Sequence, residues 1–88
     1  MNANTLSDKV VIVTGAGSGL GKAMTLGLAA EGARVTALDV DLDTAKATAA
    51  AANGGTVVAL AANVTEEADC ADAVKTTIAE LGGLHVLV

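Results

Sequence analysis

Thr14-Gly15-Ala16-Gly17-Ser18-Gly19-Leu20-Gly21 stands directly after the run Val10-Val11-Ile12-Val13 and directly before a helical pattern. Four consecutive β-branched residues read as a strand buried on both faces, ending at Thr14. Beyond the glycines, Leu20, Met24 and Leu28 recur at helical spacing up to about Glu31, and Gly32 stands where a helix would stop. Gly15, Gly17, Gly19 and Gly21 crowd one short turn, and each loses more backbone entropy on ordering than any other residue. A phosphate site gives that cost a reason. Glycine lets the main chain close in on a pyrophosphate, while the following helix start offers free N–H groups and a favourable dipole. The bland reading is a generic glycine-rich turn.

Working outward, short apolar runs and helical stretches alternate. Arg34-Val35-Thr36-Ala37-Leu38-Asp39 reads as a second strand, and Asp41 or Asp43 can cap an Ala-rich helix to about Ala52. Asn53-Gly54-Gly55 breaks it, and Thr56 to Ala62 forms a third strand. Glu66 to Leu81 has Cys70, Val74, Ile78 and Leu81 along one side of a third helix, and Leu84 to Val88 is a fourth strand. The order βαβαβαβ predicts an α/β fold, a doubly wound parallel sheet with right-handed crossovers. The expected strand order is 3-2-1-4, with the first two helices on one face and the third on the other. The run Leu84–Val88 is apolar to its last residue, so the reading expects residues 1–88 to be the N-terminal part of a single, larger domain.

Composition excludes several functions. The 88 residues contain no Phe, Tyr or Trp, and 20 of them are Ala. Base-stacking platforms are therefore absent, and a net charge of −5 repels phosphate backbones, so no nucleic-acid partner is expected. A domain this size buries only about 60–70% of its unfolded surface, which leaves little margin of stability. The lone Cys70 forms no internal disulfide and begins no zinc quartet. No basic-then-apolar leader opens the chain and no long apolar run crosses a bilayer, so a cytoplasmic setting without membrane contact is the expectation.

The loop spacing narrows the phosphate reading. A GxGxxG register needs glycine at 20 or 22, which are Leu20 and Lys22, and a P-loop needs a hydroxyl after Gly21-Lys22, where Ala23 stands. Thr-Gly-x-x-x-Gly-x-Gly fits, through Gly15, Gly19 and Gly21. In this the sequence resembles the short-chain dehydrogenase/reductase family. The likeness extends to the acidic end of the second strand, Asn63-Val64 after the third, and Gly82-Gly83-Leu84-His85-Val86-Leu87-Val88 for the fourth. The resemblance implies a Rossmann-like fold. It makes Gly15, Ser18, Gly19, Leu20 and Gly21 a pyrophosphate loop, with Ser18 either a phosphate donor or a helix N-cap and Thr14 a brace for the turn. It sets Asp39 on the adenosine ribose hydroxyls, and Asn63 and Val64 against the adenine.

Asp39 also bears on the choice of cofactor. A doubly charged 2′-phosphate about 4 Å from a carboxylate is repelled by up to ~8 kcal/mol at an effective dielectric near 20. A quarter of that, after screening, is around thirtyfold in affinity, so NAD is favoured over NADP. The family's reaction moves a hydride between nicotinamide and an alcohol or carbonyl substrate, with a serine, a tyrosine and a lysine handling the proton. None of those is assigned within residues 1–88, so the segment alone is expected to be inert, and the full-length protein to be a homo-oligomer. The alternative is a non-catalytic dinucleotide-binding or interaction module complete at this length. His85 stands where the family most often has Asp and reads as a surface variant, Cys70 as filler, and Gly27 as a point of close approach between helix and sheet.

Overall fold

The computed structural model describes residues 6, 7 and 9–88. Strand β1 runs over Val10–Thr14, with Val10, Val11, Ile12 and Val13 all buried. It lies inside the sheet, between β2 (Arg34–Asp39) and β4 (Val86–Leu87), and β3 (Thr56–Ala61) pairs with the far side of β2. Every pair is parallel, in the order β3-β2-β1-β4, as the pattern predicts. Val11 is aligned with Val35 on one side and Val86 on the other.

Alternation along the strands separates two cores. Val11, Val13, Val35 and Ala37 face one way, under Met24 and Leu28 of α1 (Gly19–Ala30). Ile12 and Leu38 face the other, under Ala73 and Val74 of α3 (Glu67–Leu81). Helix α2 (Leu42–Ala51) packs beside α1 and buries Ala45 and Thr48. Fully buried Ala16, Ala29, Ala33 and Ala37 explain how a core without aromatics closes: small side chains bring helix and sheet backbones together. Across the second core the hydroxyls of Thr36 and Thr77, both buried, satisfy each other at 2.8 Å.

Helix and strand ends fall within a residue or so of the expected ones, apart from β4. The run Leu84–Val88 is an expected strand, yet ladder geometry holds only over Val86–Leu87. Backbone bonds continue on either side, from His85 N to Val10 O at 2.9 Å and from Val88 N to Ile12 O at 2.8 Å. At the start of the run a side chain stands in for a strand carbonyl, Val10 N donating to His85 Nδ1 at 2.9 Å, while at its other end Thr14 N donates to Val88 O at 2.9 Å. His85 is therefore a sheet ligand, not merely a surface variant. Gly27 also departs from expectation, since it is exposed and a Cβ there meets nothing within 4 Å. No close approach to the sheet requires it.

Candidate functional site

In a parallel sheet the strands deliver their ends to one edge, and here β1 ends at Thr14 beside Asp39 of β2. Between β1 and α1 the loop turns back over β2 and is fastened there. Ala16 N donates to Leu38 O at 3.0 Å, and Gly17 N donates to Asp39 Oδ2 at 2.9 Å. The buried hydroxyl of Thr48 on α2 donates to Ala16 O at 2.8 Å. Thr14 braces the other side, its hydroxyl donating to Val88 O at 2.9 Å.

The glycines serve two different needs. Gly15 and Gly19 have φ of 63° and 56°, where a side chain is strained. Gly17 and Gly21 are tied by contact instead: a Cβ on Gly21 would run into Gly15 O, and one on Gly17 into the Thr44 hydroxyl and the Asp39 carboxylate. Gly17, Thr44 and Thr48 are absent from the sequence-derived site. Their partners lie on a later strand or helix, and only the parallel topology predicted from the βαβ order hints at the meeting.

Helix α1 starts differently from the other two. Ser18 occupies its N-cap position with extended backbone (φ −157°, ψ 167°), but its side chain makes no capping bond and the first turn has no acidic residue. By contrast α2 is capped by Asp41, whose carboxylate accepts from Asp43 N and Thr44 N, and α3 carries Glu67 and Asp69 in its first turn. The N-cap reading of the Ser18 side chain thus fails. The first N–H groups of α1, those of Gly19, Leu20 and Gly21, point out of the helix end without an intrahelical acceptor, in the positive field of its dipole.

Next to this end is a cavity of about 260 Å³ lined by Gly15, Leu38, Asp39, Val40, Asn63 and Val64. Its walls are apolar, Val40 and Val64 being 75% and 51% exposed, and Asp39 supplies its carboxylate. Asp41 N, donating to Asp39 Oδ1 at 3.1 Å, and then Gly17 N hold that carboxyl below the usual aspartate range, against an opposing effect of burial. Asn63 Oδ1 already accepts from Thr65 N at 3.0 Å and from the Thr65 hydroxyl at 2.7 Å, and Asn63 N donates to Asp69 Oδ2. An adenine amino group would have to compete with Thr65 for that oxygen. A second cavity of about 350 Å³ lies under Val64 and reaches Cys70, whose thiol donates to Val64 O at 3.3 Å. Cys70 thus braces the Val64 turn as well as filling space.

Of the sequence-derived residues, Gly15, Asp39, Asn63 and Val64 share one cavity, while Ser18, Gly19, Leu20 and Gly21 form the adjoining helix start. A dinucleotide's pyrophosphate needs donors beside a pocket for a nucleoside, and the residues present fit that requirement. Among the described residues no helix is long and apolar enough to cross a membrane.

Comparison with known proteins bears on the fold and the family. Residues 9–88 match the short chain dehydrogenase family. A cyclohexanol dehydrogenase from Acinetobacter sp. (strain SE19) is 37% identical over 86 residues, covering 96% of this chain and 34% of the relative. The crystal structure of a hydroxysteroid dehydrogenase from Escherichia coli superposes with a TM-score of 0.92 at 30% identity, over 98% of this chain and 36% of that one. A 3-ketoacyl-(acyl-carrier-protein) reductase from Brucella melitensis, complexed with NADH, superposes with a TM-score of 0.85 at 37% identity, over 90% and 32%. The chain spans about a third of the length of each of these proteins. With a family match over nearly all its residues and a parallel sheet that superposes on solved members, the chain belongs to the short chain dehydrogenase family of oxidoreductases, which bind a nicotinamide cofactor.

Proposed function

We propose that this segment binds the adenosine diphosphate part of NAD, in preference to NADP, for an oxidoreductase acting on an alcohol or carbonyl substrate. The observation that carries the reading is the Asp39 carboxylate, fixed at the lip of the cavity by Gly17 N and Asp41 N. Each carboxylate oxygen can accept a second bond, so two ribose hydroxyls can be taken without releasing the loop. The N–H groups of Gly19, Leu20 and Gly21 donate to the pyrophosphate, with the Ser18 hydroxyl free to join them. Val40 and Val64 enclose the adenine, while the Asn63 amide nitrogen is the group left to meet a ring acceptor. When bound, the nicotinamide supplies the hydride chemistry. No tyrosine occurs in the 88 residues, so these residues orient the cofactor and do not carry the proton. Assembly as a homo-oligomer belongs to the same proposal for the whole protein.

Calorimetric titration of the intact protein with each cofactor tests it. NAD is expected to bind about thirtyfold more tightly than NADP, the value set by a screened repulsion of ~2 kcal/mol. Asp39→Asn keeps the shape, removes the charge and narrows the gap. Because the folded-state carboxyl is held below its usual value, Asp39 keeps its charge at about pH 5. The preference narrows between neutral pH and about 5 as the 2′-phosphate of NADP loses one of its two charges, and is lost as Asp39 takes up a proton in stronger acid. Equal affinities for the two cofactors in the unaltered protein would remove Asp39 from the ribose site.

A further inference from the structure

We propose that Thr48 is a positioning residue for Asp39, acting through the Ala16–Gly17 peptide that lies between them. The Ala16 C=O and the Gly17 N–H belong to one peptide unit, which is trans and planar, so they point in opposite directions from a rigid plate. The carbonyl accepts from the Thr48 hydroxyl at 2.8 Å, and the N–H donates to Asp39 Oδ2 at 2.9 Å. Turning the plate breaks both bonds together. No backbone N–H among the described residues donates to Ala16 O, and Ala16 and Thr48 are both fully buried. The hydroxyl is therefore what satisfies that oxygen.

A threonine inside a helix commonly turns its hydroxyl back to a carbonyl of its own helix. Thr44, one turn earlier on α2, does this and donates to Asp41 O at 3.0 Å. Its side chain also stands so close to Gly17 that an added Cβ would run into it. Thr48 reaches out to the loop instead. The two threonines share one face of α2, Thr44 meeting the loop by contact and Thr48 by a bond. On the β2 side Ala16 N donates to Leu38 O at 3.0 Å, so the plate is held between helix and strand. Without the Thr48 hydroxyl, Ala16 O is left buried with no donor, and the plate turns to find one. Gly17 N then leaves Oδ2, and the carboxylate is held by Asp41 N at Oδ1 alone. The inference rests on the ribose role proposed for Asp39 and names the residue that keeps its carboxylate aimed.

Thr48→Val keeps the side-chain shape and removes the hydroxyl, whereas Thr48→Ser keeps the hydroxyl. In the intact protein without cofactor, amide hydrogen exchange at Gly17 is expected to quicken about tenfold in Thr48→Val. It should hold its rate in Thr48→Ser, and the sheet amides of Val35 and Ala37 should hold theirs in both variants. Calorimetric titration should show the ratio of NAD to NADP affinity falling about tenfold in Thr48→Val and restored in Thr48→Ser. A threonine that only supports the fold would weaken both cofactors alike and leave that ratio unchanged. In the unaltered protein the Thr48 hydroxyl proton should be visible by proton NMR in slow exchange, a measurement that needs no variant to fold. Its absence, an unchanged Gly17 rate in Thr48→Val, or an equal rise at Val35 and Ala37 would each overturn the positioning role. So would a preference for NAD that survives intact in Thr48→Val. If the unaltered protein has no preference between the cofactors, the ribose role of Asp39 fails, while a quickened Gly17 amide in Thr48→Val still upholds the link from Thr48 to the carboxylate.

Discussion

Gly21 and Gly27 lie six residues apart on the same helix, yet they are glycines for different reasons. A Cβ on Gly21 strikes Gly15 O, the backbone of the turn that aims the helix end at the cavity. A Cβ on Gly27 meets open space. Gly21→Ala should therefore weaken NAD binding tenfold or more, since backbone cannot move aside as a flexible side chain does. Gly27→Ala should leave binding unchanged and stabilise the helix by about 0.5–1 kcal/mol, the ordinary gain from replacing a mid-helix glycine. Cofactor titration with thermal unfolding of both variants checks the pair. An unaffected Gly21→Ala protein would mean that this contact does not set the loop.

Of the three helices only α2 is closed by a side-chain cap; α3 has no cap bond but carries Glu67 and Asp69 in its first turn, and α1 has neither. Asp41 satisfies N–H groups of Asp43 and Thr44, so Asp41→Ala should cost about 0.5–2 kcal/mol of stability in chemical denaturation. Ser18 occupies the same position on α1 without a capping bond. Ser18→Ala should cost the fold almost nothing and show itself only in weaker cofactor binding. A stability loss as large as that of Asp41→Ala would restore the capping role and argue against an open anion site. Strand β4 shows the other limit of element reasoning. Its apolar run suggests five paired residues; at the start of the run a ring nitrogen takes the place of a carbonyl, whereas backbone pairing to β1 reaches Val88.

At the scale of the whole molecule, topology follows from the order of elements because parallel strands with right-handed crossovers leave few arrangements. The continuous burial of Val10–Val13 is legible in the same way, since only a strand covered on both faces tolerates such a run. The spacing of Gly15, Gly19 and Gly21 likewise marks a tight turn between β1 and α1, without showing which glycine answers to backbone angle and which to contact. What the sequence hides are meetings between distant residues of small side chain: Gly17 with Asp39 and Thr44, and Ala16 with Thr48. Such pairs leave no periodic signal, and threonine in a helix reads as a weak helix former rather than a fastening.

The junction of an open helix end with a carboxylate-lined cavity is most directly tested by following backbone amide resonances of the intact protein during titration with NAD. The amides of Gly17 to Gly21 should shift, together with those of Asp39, Asn63 and Val64. The capped start of α2 beyond Asp41 and the first turn of α3 at Glu67 should move far less. Shifts clustered at those two helix starts, with Gly19 to Gly21 unmoved at saturating NAD, would contradict the assignment of the cofactor to this loop.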